Sequence, residues 1–312
     1  MASKKAVYFF CIDESKDEVA PKVLEKIMET FDLTETDIEV DRNKVLKYID
    51  EASNEFYFVK TKVVICADYS SYLPLINEYF EDFDIAAMVN WHGGQNAPDK
   101  VLCIHTVGDL ASARYSRSNP VPSTNLARAL EHHRERLNLE EFKVTTEATH
   151  WSGIVYDGKS EWIEESKLPF LDIEIGSTSE SYNNPVAASV IAYALMDAFA
   201  SEEKAPTVLY MGGVHFEDTI TNAVLHKSHP VSLTHILPSR WLENEMYIGE
   251  DARDYLMKCI DSIHGSIDGI VIHEKLKREI KDHVEIIAEI LSIPVIKRKA
   301  LKSPEATVLY QQ

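Results

Sequence analysis

Residues 170–199 read FLDIEIGSTSESYNNPVAASVIAYALMDAF, and they hold a strand, a turn and a helix in one view. Phe170–Ile175 is a short apolar run ending at Gly176-Ser177-Thr178. Asn184-Pro185 then reads as an N-cap and a first-turn proline ahead of the buried face Val186, Val190, Ile191, Leu195 and Phe199. The same alternation extends outward in both directions. Further strands are predicted at Ala6–Ile12, Lys62–Ala67, Ile85–Asn90, Lys100–His105, Phe142–Ala148, Thr207–Met211, Val231–Ile236, Gly269–Ile272 and Pro294–Lys297. Between them, Leu24, Ile27, Met28 and Phe31 keep helical spacing, as do Ile280, Val284, Ile287 and Leu291. Near-continuous apolar strands alternating with helices predict an α/β fold, a mainly parallel sheet covered by helices. With no repeat and no Gly/Ser-rich joint, residues 1–312 read as a single domain.

Composition narrows the class. Hydrophobic residues are 45% and charged residues 27% of the 312, ordinary globular values that exclude a largely disordered chain. No apolar run approaches the ~20 residues of a membrane helix. The start, Met1-Ala2-Ser3-Lys4-Lys5 before Ala6–Ile12, meets Asp13 and Glu14 with no small-residue cleavage site, so it reads as a first strand rather than a leader. Cys11, Cys66, Cys103 and Cys259 stand singly, the usage of a reducing compartment. A cytoplasmic protein is expected. The net charge of −19 argues against strong non-specific nucleic-acid binding, yet residues 272–302 carry eight basic groups against five acidic ones. That basic corner can hold a polyanion locally.

Phosphate-loop, dinucleotide, nucleophile-elbow and HExxH motifs are absent. Instead, His and Glu residues gather where apolar strands end: His92, His105, Glu147 with His150, Glu174, His215 and His235. In a parallel sheet such carboxyl ends share one ligand-binding edge. A carboxylate inside an apolar strand, as at Glu174, is costly unless paired or metal-bound. His132 and His133, on a helix over Thr124–Leu137, read as a solvated face, and no role is expected of His226, His229, His264 or His283.

The ordered segments WHGG (91–94), IHTVGD (104–109), VTTEATHWSG (144–153), LPFLDIEIGST (168–178), VLYMGGVHF (208–216) and LTHILPSRW (233–241) resemble the archaeal and plant type of D-aminoacyl-tRNA deacylase, over about residues 89–241. The resemblance implies a fold like those of nucleoside phosphorylases and peptidyl-tRNA hydrolases, and hydrolysis of the ester of D-aminoacyl-tRNA. It also implies zinc, a tRNA partner carrying a D-amino acid and no membrane; a monomer is expected. Glu147, His150, Glu174 and His215 offer ligands for hydrolytic Zn²⁺. His92, His105, His150 and Glu174 are the candidate catalytic groups, and Asp109, Trp151, Phe216 and His235 the candidate substrate contacts. The chain departs from the family pattern at Trp151-Ser152-Gly153, at Asp109 and at Phe216-Glu217-Asp218, so it reads as a diverged member. Two alternatives follow: a metal-dependent hydrolase of another acyl adduct, and a non-catalytic tRNA or aminoacyl binder. A phosphorylase-like transferase is disfavoured because no Arg cluster accompanies the acidic edge.

Overall fold

The computed structural model describes residues 3–94, 97–303, 305 and 307–310. The strands are β1 (Lys5–Cys11), β2 (Thr34–Val40), β3 (Asn43–Ile49), β4 (Glu55–Thr61), β5 (Ile85–His92), β6 (Lys100–Thr106), β7 (Gly108–Asp109), β8 (Arg114–Tyr115), β9 (Lys143–Thr146), β10 (Phe170–Ser177), β11 (Val208–Met211), β12 (Ile236–Leu237), β13 (Gly269–Ile272) and β14 (Val295–Lys297). The helices are α1 (Ala20–Thr30), α2 (Tyr69–Tyr79), α3 (Pro120–Arg136), α4 (Ser179–Tyr182), α5 (Pro185–Met196), α6 (Asp218–Val224), α7 (Ser239–Leu242), α8 (Ala252–Asp261) and α9 (Arg278–Leu291). An eight-stranded sheet has the order β2-β3-β4-β1-β5-β10-β6-β9, and a four-stranded parallel sheet the order β12-β11-β13-β14. The α/β class and its mainly parallel pairing are as expected.

Two expected strands are not strands. Residues 62–67 form a turn leading into α2, and the ladder partner of β1 is instead β4, whose EFYFVKT alternates outward and inward. In 231–236 only Ile236 enters a ladder, because the backbone groups before it are satisfied elsewhere: Ser232 N–H donates to Pro206 O and Leu233 N–H to Thr124 Oγ1. His133 is also misread as solvated. It is buried, with Nε2 2.7 Å from Asp197 Oδ2, because α3 packs on α5 there.

The most consequential difference is direction. β6 runs antiparallel to β10, so its carboxyl end points away from those of β5 and β10. The shared carboxyl edge therefore does not exist for His105. What brings the residues together is cross-strand register, since paired residues project to the same face of a sheet. Asp172 pairs with His105, Glu174 with Cys103 on one side and Asn90 on the other, and Gly176 with His92. Gly176 is needed there, because a Cβ would lie 2.8 Å from His92 Cβ. The opposite face of β10, Leu171, Ile173 and Ile175, is fully buried in the core under α1, α3 and α5. Each such side chain contributes about 1.5–3 kcal/mol, which pins the register and forces Asp172 and Glu174 onto the other face.

Candidate active site

Four histidines and three carboxylates meet on that face. Glu147, just past β9, is 1% exposed, and its Oε2 lies 2.7 Å from His215 Nε2 and 3.4 Å from His92 Nε2. The turn is fixed by Ala148 N–H donating to His215 O and Thr149 N–H to Ile236 O, which tie it to the loop after β11 and to the start of β12. His92 Nδ1 is 2.9 Å from Ser177 Oγ. His150 donates from Nδ1 to Ala148 O at 2.9 Å, and its ring stacks on His105 with centroids 3.8 Å apart. His105 Nδ1 faces Thr106 O at 3.0 Å, so Nε2 is left toward Asp172 Oδ2 at 3.5 Å and Glu174 Oε1 at 3.9 Å, both too long for good hydrogen bonds.

The carboxylates divide by environment. Burial pushes the Glu147 carboxyl up, but hydrogen bonds from His215 and His92 outweigh it and hold the group well below the usual range. Glu174 is pushed up to about 8, first by burial and then by the charge of Glu147. Asp172 is raised well above its ordinary value by burial and then by Glu174 and Glu147. Burial depresses His105 and His150 to about 4. His92 is raised: burial opposes this, and Glu147 prevails. The site thus holds one ionised carboxylate beside two whose charged forms are disfavoured.

Unpartnered buried atoms mark what is missing. His105 Nε2, Glu147 Oε1, both oxygens of Asp172 and Glu174 Oε2 have no hydrogen-bond partner. A buried charge without a partner costs several kcal/mol, and a cation bound among these five atoms would offset that cost. Three sets of donor atoms lie within 4.8 Å of one another: His92, Cys103 and Glu147; His105, Glu147 and His150; and His105, Asp172 and Glu174. These nitrogen, oxygen and sulfur donors are of the types that Zn²⁺ takes.

Of the residues picked from sequence, His92, His105, Glu147, His150, Glu174 and His215 come together, and the Phe216 ring stands 5.4 Å from His92 and 4.8 Å from His215. His235 does not join them. It is fully buried, with Nδ1 2.9 Å from Thr106 Oγ1 and Nε2 2.9 Å from Ser262 Oγ, and burial lowers it to about 3. Both nitrogens are used in holding the core. Asp109 is also apart, accepting from Ala111 N–H and Ser112 in its own turn. Trp151 is buried edge-on against Tyr69, lining a small crevice with Cys66, Met88 and Asp172. Sequence reasoning missed Cys103 and Asp172. Asp172 had a signal: it stands two residues before Glu174 in the same apolar strand, hence on the same face.

A model of the D-aminoacyl-tRNA deacylase family matches residues 79–296. The chain is 28% identical over 260 residues to a D-aminoacyl-tRNA deacylase of Archaeoglobus fulgidus, covering 80% of this chain and 84% of that one. It is 26% identical over 292 residues to a D-aminoacyl-tRNA deacylase of Pyrococcus abyssi, covering 90% and 96%. Among solved structures, a conserved protein of unknown function superposes with a TM-score of 0.74 at 22% identity over 97% of this chain and 98% of that one, a likeness of fold. Among the described residues no helix is long and apolar enough to cross a membrane.

Proposed function

The chain belongs to the D-aminoacyl-tRNA deacylase family, and from that premise we propose that it hydrolyses the ester of D-aminoacyl-tRNA, releasing the D-amino acid and tRNA. The observation that carries this reading is the pairing of buried Glu147 with His215, whose side chain is 44% exposed. That pair links an ionised interior to the mouth of the site. Glu147 accepts from His215 Nε2–H, which leaves Nδ1 as the basic nitrogen. Water approaching the ester carbon gives its proton to Nδ1 as it attacks. The C–O bond to ribose then breaks, and the same imidazolium returns a proton to the ribose oxygen. His92 holds Glu147, and His150, stacked on His105, fixes that ring.

The residues that would hold zinc are His105, Asp172 and Glu174, the set that leaves the Glu147–His215 pair free. When bound, zinc would polarise the ester carbonyl and offset the charge of the tetrahedral intermediate. The unpartnered His105 Nε2 and Asp172 oxygens support this fit. Protein purified without a His tag is expected to contain about one equivalent of zinc or more by elemental analysis. Metal well below one equivalent, together with full activity after chelation, contradicts the assignment. The reading as a whole is tested by release of D-tyrosine from D-tyrosyl-tRNA, by a single-domain, cytoplasmic protein acting as a monomer.

For tRNA docking we propose the basic corner. β11, β13 and β14 run parallel, so the Gly212–His215 loop and the segments following Ile272 and Lys297 lie at one end of the smaller sheet. Arg298 is occupied, bridging Glu217 in the His215 loop at 3.1 Å and Glu274 at 3.4 Å. Lys275, Lys277, Lys297, Lys299 and Lys302 are exposed. Replacing Lys297, Lys299 and Lys302 together by Ala should flatten the log–log salt dependence of tRNA binding by about 0.7–0.9 for each phosphate that is no longer neutralised. An unchanged slope means that these lysines are merely solvated.

A further inference from the structure

Asp17 lies in the connection from β1 to α1, and nothing in the mechanism above uses it. Its carboxylate is buried, 1% exposed. Oδ1 accepts from Val19 N–H at 2.8 Å and Ala20 N–H at 3.0 Å, which fixes the group at the entrance of α1. Oδ2 has no partner. Among the described residues no Lys or Arg forms an ion pair with it, and it belongs to none of the three metal-ligand sets. The surroundings point inward: β1 is next to β5 and β5 to β10, so this loop leaves the sheet beside His92 and the end of β10. The charge of Glu174 acts on Asp17, and the charge of Asp17 acts on Cys66 and Tyr156. Cys66 lines the crevice that begins at Asp172.

We propose that Asp17 is the carboxylate that receives the α-ammonium of the substrate. This inference rests on the deacylase reading. In an aminoacyl ester the amino nitrogen is two bonds from the carbonyl carbon, about 2.5 Å away. If the carbonyl is attended by the His105–Asp172–Glu174 set, an ammonium turned toward the β1–α1 loop meets a fixed, buried and unpaired carboxylate. A cation there removes the penalty that Asp17 now carries, and an N-blocked amino group cannot do so.

The test compares D-tyrosyl-tRNA with its N-acetyl derivative, on the wild type and on Asp17→Asn. Asparagine caps a helix as well as aspartate does, so the two N–H bonds survive while the charge is lost; Asp17→Ser serves as a second neutral cap. The wild type should favour the free amine. Asp17→Asn should raise KM for it, lowering kcat/KM by about 10- to 100-fold, the scale of a hydrogen bond to a charged group. The N-acetyl substrate should change less than about threefold, so the preference collapses. Equal losses on both substrates, or a wild type indifferent to acetylation, overturn the ammonium assignment and leave the deacylase reading standing. A wild type that cleaves neither substrate overturns both.

Discussion

Glu174→Ala and His150→Ala are each expected to lower the turnover of D-tyrosyl-tRNA by about 10²-fold or more, the scale of losing an acid–base or ligand role. The two losses have different origins. Glu174 offers an unpartnered Oε2 to the centre of the cluster, and its removal takes a donor from the set it forms with His105 and Asp172. His150 acts through contact: its ring lies 3.8 Å from that of His105 and 5.1 Å from that of His215. Stability separates function from folding. Glu174 Oε2 is buried without a partner, so Glu174→Gln in chelated protein should melt no lower than the chelated wild type, because Gln keeps the shape and leaves no charge to bury. His150→Ala should cost about 1–3 kcal/mol, because a stacked ring and a hydrogen bond to Ala148 O both disappear. Near-wild-type turnover in both variants, with folding intact by circular dichroism, would remove this sheet face as the active site.

How this site was legible depends on what each residue's neighbours impose. Glu174 stood out because an ionisable group in an apolar strand needs a reason to be there, and the same logic, applied with a period of two, reaches Asp172. His105 was found for the wrong geometric reason. Residues 93–99 between β5 and β6 number seven, too few for the dozen or so that a parallel crossover requires. That count could be read from the chain and already excluded a common edge for His92 and His105. β10 then inserts between the two strands, a long-range event that no local pattern encodes. Asp17 lies in a turn, where burial follows from tertiary packing alone. His235 shows the converse: a histidine at the end of an apolar run looks functional until its partners, Thr106 and Ser262, distant in sequence, are seen to use both nitrogens.

D-tyrosyl-tRNA should be cleaved about two to four decades faster than L-tyrosyl-tRNA at equal enzyme. The two substrates share tRNA, ester and side chain, so the Glu147–His215 pair, which acts only on water and the ester, cannot tell them apart. Handedness can be read only when three substituents of the α-carbon are held at once. The proposed site has three such holds. On the proposed reading the ester carbonyl meets the His105–Asp172–Glu174 set, the ammonium meets Asp17, and Trp151 and Phe216 are the walls proposed for the side chain. The Phe216 ring stands against His92 and His215. With carbonyl and ammonium fixed, inversion at the α-carbon sends the side chain in a different direction, against groups placed for the other hand. The L form must then clash or give up its ammonium contact, a difference of about 3–5 kcal/mol, which corresponds to the two to four decades expected. Trp151 carries part of that wall: Gly153 and Gly158 pack so closely on its ring that a Cβ at either would overlap it. A ring held that tightly cannot swing aside to admit the wrong hand. Trp151→Ala should therefore erode selectivity by raising the rate on the L substrate more than it lowers the rate on the D substrate. Time courses on both substrates decide the matter: equal wild-type rates would make this a general esterase, and a Trp151→Ala variant that keeps full selectivity would move the discriminating wall to Phe216.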